Sequence, residues 1–185
     1  MRVISGIAKG RKLASFKGSD IRPTSDRARE SLFNILRENV AGSSFLDLFA
    51  GSGAIGIEAL SRGAENVIFV ESHAASIALI KKNLEKCGFP EGLSRHIKII
   101  HKDVFTYIKT VKKKFDVIFV DPPYKTDLAE KSLLCLNKKN LLKPNGIIVL
   151  EQFFKAPIEQ EISGLQCVKR KKTGDTLFSF FHKNR

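Results

Sequence analysis

A chain of 185 residues, 43% of them hydrophobic, can bury a sizeable core, and we expect a single domain over residues 1–185. No apolar run is long enough to span a bilayer and the first residues lack a signal peptide's apolar region, so a cytoplasmic protein without a membrane partner is expected. Lysine and arginine (32) exceed aspartate and glutamate (19), giving a net charge of +13. That excess favours nucleic acid as a partner, although an unspecialised basic surface would give the same charge.

The number and spacing of the cysteines argue against structural disulfides and against a zinc site. The chain has three cysteines, an odd number, and no Cys-x-x-Cys pair. A disulfide scaffold or a zinc site is therefore not expected, and buried free thiols are the expectation for Cys87, Cys135 and Cys167.

We predict a basic N-terminal arm over residues 1–20 and a core over residues 21–185. The core is predicted to begin with a helix. Arg2 to Phe16 has the pattern of a short hairpin that turns near Gly10 with cations around it. These cations would contact phosphates, or would protect a hairpin edge from aggregation. Thr24 or Ser25 can cap the helix that follows, and its apolar face comprises Ala28, Leu32, Ile35 and Leu36.

Beyond Gly42, apolar strands alternate with helical patterns. The predicted strands are Phe45–Phe49, Val67–Glu71, Ile97–Ile100, Phe115–Val120, Ile147–Glu151, Gln166–Lys172 and Thr176–Phe181, and the predicted helices are Ala54–Arg62, Ala74–Lys86, Val104–Val111 and Leu128–Asn137. This alternation predicts a three-layer, Rossmann-like, doubly wound α/β fold with a mainly parallel seven-stranded sheet. The last two strands, joined at Thr173-Gly174-Asp175, would form a C-terminal antiparallel hairpin.

Polar residues follow the predicted strand ends, where ligands bind in open parallel sheets. The turn Gly51-Ser52-Gly53-Ala54-Ile55-Gly56 fits the glycine fingerprint of nucleotide folds, a pattern that matches dehydrogenases equally well. Glu71 can accept both hydroxyls of a ribose, or it is a solvated carboxylate at a strand end. Asp103 can accept from an adenine amine, with an ordinary surface role as the alternative.

The stretch Asp121-Pro122-Pro123-Tyr124 is predicted to end a buried strand in a rigid turn. Because proline fixes φ and restricts the residue before it, the carbonyls there are not consumed by a helix and can point at a ligand. A carboxylate, free carbonyls and an aromatic face suit a planar group that carries an NH2. The alternative is a plain strand-ending turn.

Together these residues resemble a class I S-adenosyl-L-methionine methyltransferase. The cofactor-binding residues that the resemblance implies are Asp47, Phe49, Gly51 and Gly53 for the amino-acid end, Glu71 for the ribose, and Asp103 with Val104 for the adenine. Asp-Pro-Pro-Tyr is the motif of amino-methyltransferases in that superfamily, and it implies Asp121, Pro122, Pro123 and Tyr124 as catalytic residues.

The resemblance narrows to the bacterial small-subunit ribosomal RNA methyltransferase D family. It is carried by Arg2–Gly6, Lys9–Leu13, Arg22–Asn34 and Asp47–Arg62. It implies methylation of the 2-amino group of a guanine in 16S ribosomal RNA, in a partly or fully assembled small subunit, by a monomer that needs no metal. The implied RNA contacts are Arg2, Lys9, Arg11, Lys12, Arg22 and Arg27.

The resemblance implies direct displacement at a sulfonium methyl, with the amine held by Asp121 and the carbonyl of Pro122 while Tyr124 stacks on an extruded base. Two other readings stay open: an amino-methyltransferase acting on DNA adenine, and a non-catalytic RNA-binding or assembly factor on the same fold. The basic runs 109–114 and 169–172 would extend the positive surface, or are solvated charges.

Overall fold

The computed structural model describes residues 1–16, 24–89, 96–123 and 127–184; Arg22 and Tyr124 lie outside these residues. The bounds are α1 Asp26–Leu36, β1 Ser44–Leu48, α2 Ala54–Ser61, β2 Asn66–Glu71, α3 Ala74–Lys86, β3 Ile97–His101, α4 Val104–Thr110, β4 Phe115–Val120, α5 Leu128–Lys138, β5 Leu142–Phe153, β6 Glu161–Ile162, β7 Leu165–Thr173 and β8 Thr176–Lys183. A 3₁₀ turn, Arg37–Asn39, follows α1. In the part of the chain described, no helix is long and apolar enough to cross a membrane.

One sheet organises these elements, with strand order β3-β2-β1-β4-β5-β8-β7-β6. Strands β1 to β5 are parallel, and β8, β7 and β6 continue the sheet antiparallel. The predicted mainly parallel fold with a C-terminal hairpin is confirmed. Because the chain moves outward from β1 in opposite directions, β1 and β4 flank the switch point where such sheets bind ligands.

The predicted count of seven strands was wrong by one. The described part of the chain contains eight strands, because β6 pairs through Glu161 and Ile162 alone and is too short to show a period of two. Strand β5 also begins at Leu142 instead of Ile147. Pro144-Asn145-Gly146, which precede the predicted strand, form an irregularity within the observed one, with Asn145 at φ 62°.

Alternating side chains divide the core between the two faces of the sheet. On one face, α1, α2 and α3 cover a cluster that includes Phe45, Phe69, Phe119, Val149 and Phe178. On the other face, α4 and α5 cover a cluster that includes Leu46, Ile68, Ile118, Val120 and Leu150. These are the three predicted layers.

The cap of α1 settles which of two candidates begins the helix. Ser25 is the N-cap, because its Oγ accepts from the backbone N–H of Ala28 at 3.1 Å. Asp26 lies in the first turn, where a carboxylate favours the helix dipole. Thr24 is therefore not the cap, and its hydroxyl bonds to Glu151 in β5.

The N-terminal segment forms a short hairpin that packs on α2. Arg2 and Lys12 form an antiparallel bridge, and the N–H of Val3 donates to the carbonyl of Arg11 at 3.0 Å. The buried carboxylate of Glu58 in α2 accepts from the N–H groups of Ile4 at 2.7 Å and Ser5 at 3.0 Å. The hairpin is thus anchored to the helix that begins at the glycine turn.

Candidate active site

The glycine turn after β1 contains three left-handed residues. Phe49, Gly51 and Gly53 have φ of 59°, 54° and 76°, a region that glycine enters without a steric penalty. Gly53 is the N-cap of α2. Gly56 serves a different purpose: a Cβ on it would lie 2.2 Å from Cε1 of Phe69, so its absence lets α2 approach the sheet closely.

Asp47 is a buried acid behind this turn. It is 2% exposed, and its Oδ2 accepts from the N–H of Gly56 at 2.9 Å. Burial, together with the charges of Glu71 and Glu151, raises the pKa of Asp47 to about 8, although the Gly56 hydrogen bond opposes the shift. At neutral pH the carboxyl is mostly neutral, and a cation brought beside it would favour ionisation.

Glu71 at the end of β2 is held as an anion. Burial alone would raise the pKa of Glu71, but hydrogen bonds from His73, Gly51 and Ser72 outweigh it and lower that pKa. Oε2 accepts from the N–H of Gly51 at 2.9 Å, and Oε1 accepts from the N–H groups of Ser72 at 2.8 Å and His73 at 2.9 Å. A carboxylate therefore stands directly against the glycine turn.

Asp103 and Val104 lie beyond Glu71, just after β3. Asp103 is exposed and caps α4, with Oδ1 accepting from the N–H of Thr106 at 2.9 Å. Val104 is 3% exposed and packs in the core. Asp103 therefore has a local structural role, and contact with an adenine remains a prediction for both residues.

Asp121 follows β4 on the other side of the switch point, and it is partly exposed. Pro122 is buried, whereas Pro123 is exposed. Removal of the Asp121 carboxyl from water, and then the charges of Glu151 and Asp47, raise its pKa well above the ordinary value. The predicted role of Tyr124 concerns a residue outside those described.

Sequence reasoning gave no role to Glu151, the neighbour of Asp121 on β5. Val120 pairs with Leu150, so Asp121, which follows β4, lies beside Glu151, which is still within β5. Glu151 is 2% exposed; Oε2 accepts from the hydroxyl of Thr24 at 2.8 Å and Oε1 from that of Thr176 at 3.3 Å. The one signal in the sequence was an acid directly after an apolar run.

Three acids share one face at the carboxyl ends of β1, β4 and β5. Leu48, Val120 and Leu150 belong to the core under α4 and α5, so by alternation Asp47, Asp121 and Glu151 face the α1–α2 side. Their mutual charges raise the pKa values of Asp47 and Asp121, as proximity requires. The arrangement suits a ligand that brings positive charge or N–H donors.

Asn83 of α3 is a second residue that sequence reasoning missed. It is fully buried, and its Nδ2 donates to the carbonyls of Ala14 at 3.0 Å and Ser52 at 2.9 Å. Its Oδ1 accepts from the N–H of Ala14 at 2.7 Å. One side chain thus joins the end of the N-terminal hairpin to the glycine turn.

The candidate RNA contacts within the described residues, Arg2, Lys9, Arg11, Lys12 and Arg27, are all exposed. The structure brings the hairpin and α1 together through Arg29, a buried cation that was not singled out from the sequence. Arg29 donates to the carbonyl of Arg2 and to Oδ1 of Asp26, the latter at 2.8 Å, and its Nη1 lies 3.6 Å from Glu58.

The cysteines and potential metal ligands form no cluster within the described ranges. Cys87 is buried and Cys135 and Cys167 are partly buried, each as a free thiol. Among residues 1–16, 24–89, 96–123 and 127–184, no group of three or more His, Cys, Asp or Glu side chains is placed to hold a metal ion.

Comparison with known proteins identifies the family. The model of the family described as conserved hypothetical protein 95 matches residues 1–182. YlbH of Bacillus subtilis is 36% identical over 186 residues, 99% of each chain. Ribosomal RNA small subunit methyltransferase D of Haemophilus influenzae is 40% identical over 155 residues, which are 82% of this chain and 78% of that protein.

A solved structure agrees with these sequence relatives. The yhhF protein of Escherichia coli superposes with a TM-score of 0.86 and 28% identity, covering 100% of this chain and 98% of that one. The match spans the glycine turn, the acids at the strand ends and the N-terminal hairpin together. The chain belongs to the conserved hypothetical protein 95 family, the class I methyltransferases that include ribosomal RNA small subunit methyltransferase D.

Proposed function

We propose that the protein transfers a methyl group from S-adenosyl-L-methionine to the 2-amino group of a guanine in 16S ribosomal RNA. The observation that carries the proposal is the convergence of Asp47, Asp121 and Glu151 on one face at the switch point, directly behind a left-handed glycine turn. The names of the relatives and the net charge of +13 support an RNA substrate. We place the protein in the cytoplasm as a single-domain monomer that acts on a partly or fully assembled small subunit.

The residues present fit the cofactor. Among the described residues, a Cβ on Gly51 would meet one atom within 4 Å, the carbonyl oxygen of Phe49 at 3.9 Å, so the space beside this glycine is open. We assign Asp47, Phe49, Gly51 and Gly53 to the amino-acid end, Glu71 to the ribose, and Asp103 and Val104 to the adenine. When bound, the cofactor supplies an electrophilic methyl group on a sulfonium whose charge the buried acids would favour.

The protein's chemical task is orientation, because the guanine 2-amino group is a weak nucleophile. Asp121 and the carbonyl of Pro122 would accept from the two N–H groups and so aim the nitrogen lone pair. Pro123 holds the turn rigid, and Tyr124 would stack on the base. The amine becomes acidic after attack, so Asp121 or water can take the proton. A base within folded RNA must be extruded to reach this turn.

The test is methyl transfer from labelled cofactor to naked 16S RNA, to small subunits lacking the modification, and to duplex DNA, followed by nucleoside identification. Label in 2-methylguanosine is expected. Whether naked 16S RNA or the small subunit is methylated faster shows whether the protein acts before or after the subunit assembles. Asp121→Ala, which removes the acceptor, should lower kcat by at least about a hundredfold. Asp116→Ala, at the opposite end of β4, is the matched control and should retain kcat.

Two results would contradict the proposal. Label in methyladenine would agree with the proposed cofactor but would refute guanine as the substrate. Cofactor binding without transfer to any substrate, together with full biological activity of Asp121→Ala, would favour a non-catalytic RNA-binding factor.

A further inference from the structure

A basic groove runs between α1 and β7 on the face of the sheet that carries the three acids. The groove has a volume of about 620 Å³ and is lined by Ser31, Asn34, Ile35, Arg37, Lys169 and Lys171. Three of these residues are exposed cations, and two are polar side chains that can donate to phosphate oxygens.

The side chains of the basic run 169–172 alternate between the two faces of the sheet, so only two of the four cations face the groove. Lys169 and Lys171 pair with Phe180 and Phe178, which belong to the core under α1, so their side chains stand on the α1 face. Arg170 and Lys172 face the other side. There Arg170 donates to the carbonyl of Ile158, and the Lys172 ammonium lies 3.6 Å from the centre of the Phe154 ring.

The groove lies near the proposed catalytic edge. Phe178 of β8 pairs with both Lys171 and Glu151, so Lys171 is level with Glu151 two strands away, roughly 10 Å. On α1, Arg27 precedes Ser31 by four residues and so lies one turn nearer that edge on the same helix face. A line of cations therefore leads from the acids through Arg27 to the groove.

We infer that this groove, defined by Arg37, Lys169 and Lys171 with Ser31 and Asn34, binds the RNA backbone that flanks the target nucleotide. The inference rests on the proposed RNA substrate and adds a surface separate from the N-terminal hairpin. Charge complementarity selects the occupant: cations and short polar donors in an open groove suit phosphates, which fix register without reading sequence.

The experiment compares two double variants that each remove two exposed lysine charges. Lys169→Gln/Lys171→Gln empties the groove of two cations, whereas Lys138→Gln/Lys139→Gln alters the end of α5 on the opposite face. Equilibrium binding to an unmodified 16S RNA transcript is measured over a range of salt concentrations. Methyl transfer at saturating RNA and cofactor affinity are measured in parallel.

The groove variant should bind RNA about tenfold more weakly, and the slope of log K against log salt should shrink by about 1.5. Its cofactor affinity and its kcat at saturating RNA should be unchanged, and the α5 variant should resemble wild type. Equal RNA affinity of the two double variants, or no salt-dependent RNA binding by wild type, would overturn the inference. Salt-dependent binding lost in the groove variant alone, with no methyl transfer by wild type, would support the groove and refute the proposed function.

Discussion

Thr24 donates its hydroxyl hydrogen to Oε2 of Glu151 at 2.8 Å, across 127 positions of sequence. The bond joins the residue before the α1 cap to the end of β5, where Glu151 stands beside Asp121. The start of α1, which also carries Arg27 and the ion-paired Asp26, is thereby attached to the proposed amine-binding site. A shift in the position of Thr24 would therefore change the hydrogen bonding of Glu151.

Glu151→Gln should shift the pH dependence of methyl transfer. The Glu151 charge helps to raise the pKa of Asp121, after burial, so removing it should lower that pKa. If ionised Asp121 is the better acceptor for the amine, the acidic limb of the kcat profile moves to lower pH. The measurement is kcat between pH 5 and 9 at saturating substrates. An unshifted profile would show that Glu151 does not act through Asp121.

The hydroxyls of Thr24 and Thr176 donate to Glu151 over different distances, so removing each should have an effect of different size. Thr24→Val removes the 2.8 Å bond and should lower the free energy of unfolding, measured in urea, by about 1.5–3 kcal/mol, the usual contribution of a hydrogen bond to a charged group. Thr176→Val removes the 3.3 Å bond and should cost less. Cofactor affinity should be nearly unchanged in both variants.

Asp47→Asn should flatten the pH dependence of stability in the absence of cofactor. With a pKa of about 8 against an ordinary 3.8, folded Asp47 keeps a proton that the unfolded chain releases. The folded state then binds more protons, so the free energy of unfolding falls as pH rises from about 4 to about 8. Asparagine can still accept from the Gly56 N–H but does not titrate.

The measurement is urea unfolding of both proteins from pH 5 to 8. Wild type should lose stability relative to Asp47→Asn as pH rises, because burial of the Asp47 charge is absent in the variant. Parallel curves would mean that Asp47 is ionised in the folded protein throughout this range.

Asn83→Leu should loosen the N-terminal hairpin and the glycine turn together. The change leaves the N–H and carbonyl of Ala14 and the carbonyl of Ser52 without the amide, at a cost of about 2–4 kcal/mol. Hydrogen exchange should accelerate at Val3 and Gly53, while amides of β8 serve as the internal control. Asn83→Asp keeps an acceptor for the N–H of Ala14 but sets a carboxylate oxygen against two carbonyls in a buried site, so it should accelerate exchange at least as much. Faster exchange at one of the two segments alone would contradict the link.

The sheet was readable from sequence because its strands are buried. Continuous apolar runs such as Phe115–Val120, each ending in a polar or glycine-rich turn, mark parallel strands covered on both faces. The same rule placed Asp47, Glu71 and Asp121 at one edge. Strand β6 was missed because two residues carry no periodicity.

The missed residues depend on partners far away in sequence. Glu151 has the local pattern of any acid at a strand end, and its role becomes visible when Thr24 and Thr176 meet it. Asn83 lies in α3 among the charged residues Lys81, Lys82, Glu85 and Lys86, and its burial depends on how the N-terminal hairpin packs. Local patterns carry no information on either contact.

Gly56→Ala should destabilise the fold through one contact. The new methyl would lie 2.2 Å from Cε1 of Phe69, and overpacking of this kind costs about 1–3 kcal/mol. Phe69→Leu removes the ring edge, so the double variant should be more stable than the sum of the two single changes predicts. Urea unfolding of all four proteins completes the cycle. Additive losses would show that the cost at Gly56 arises elsewhere, for example from the hydrogen bond between its N–H and Asp47.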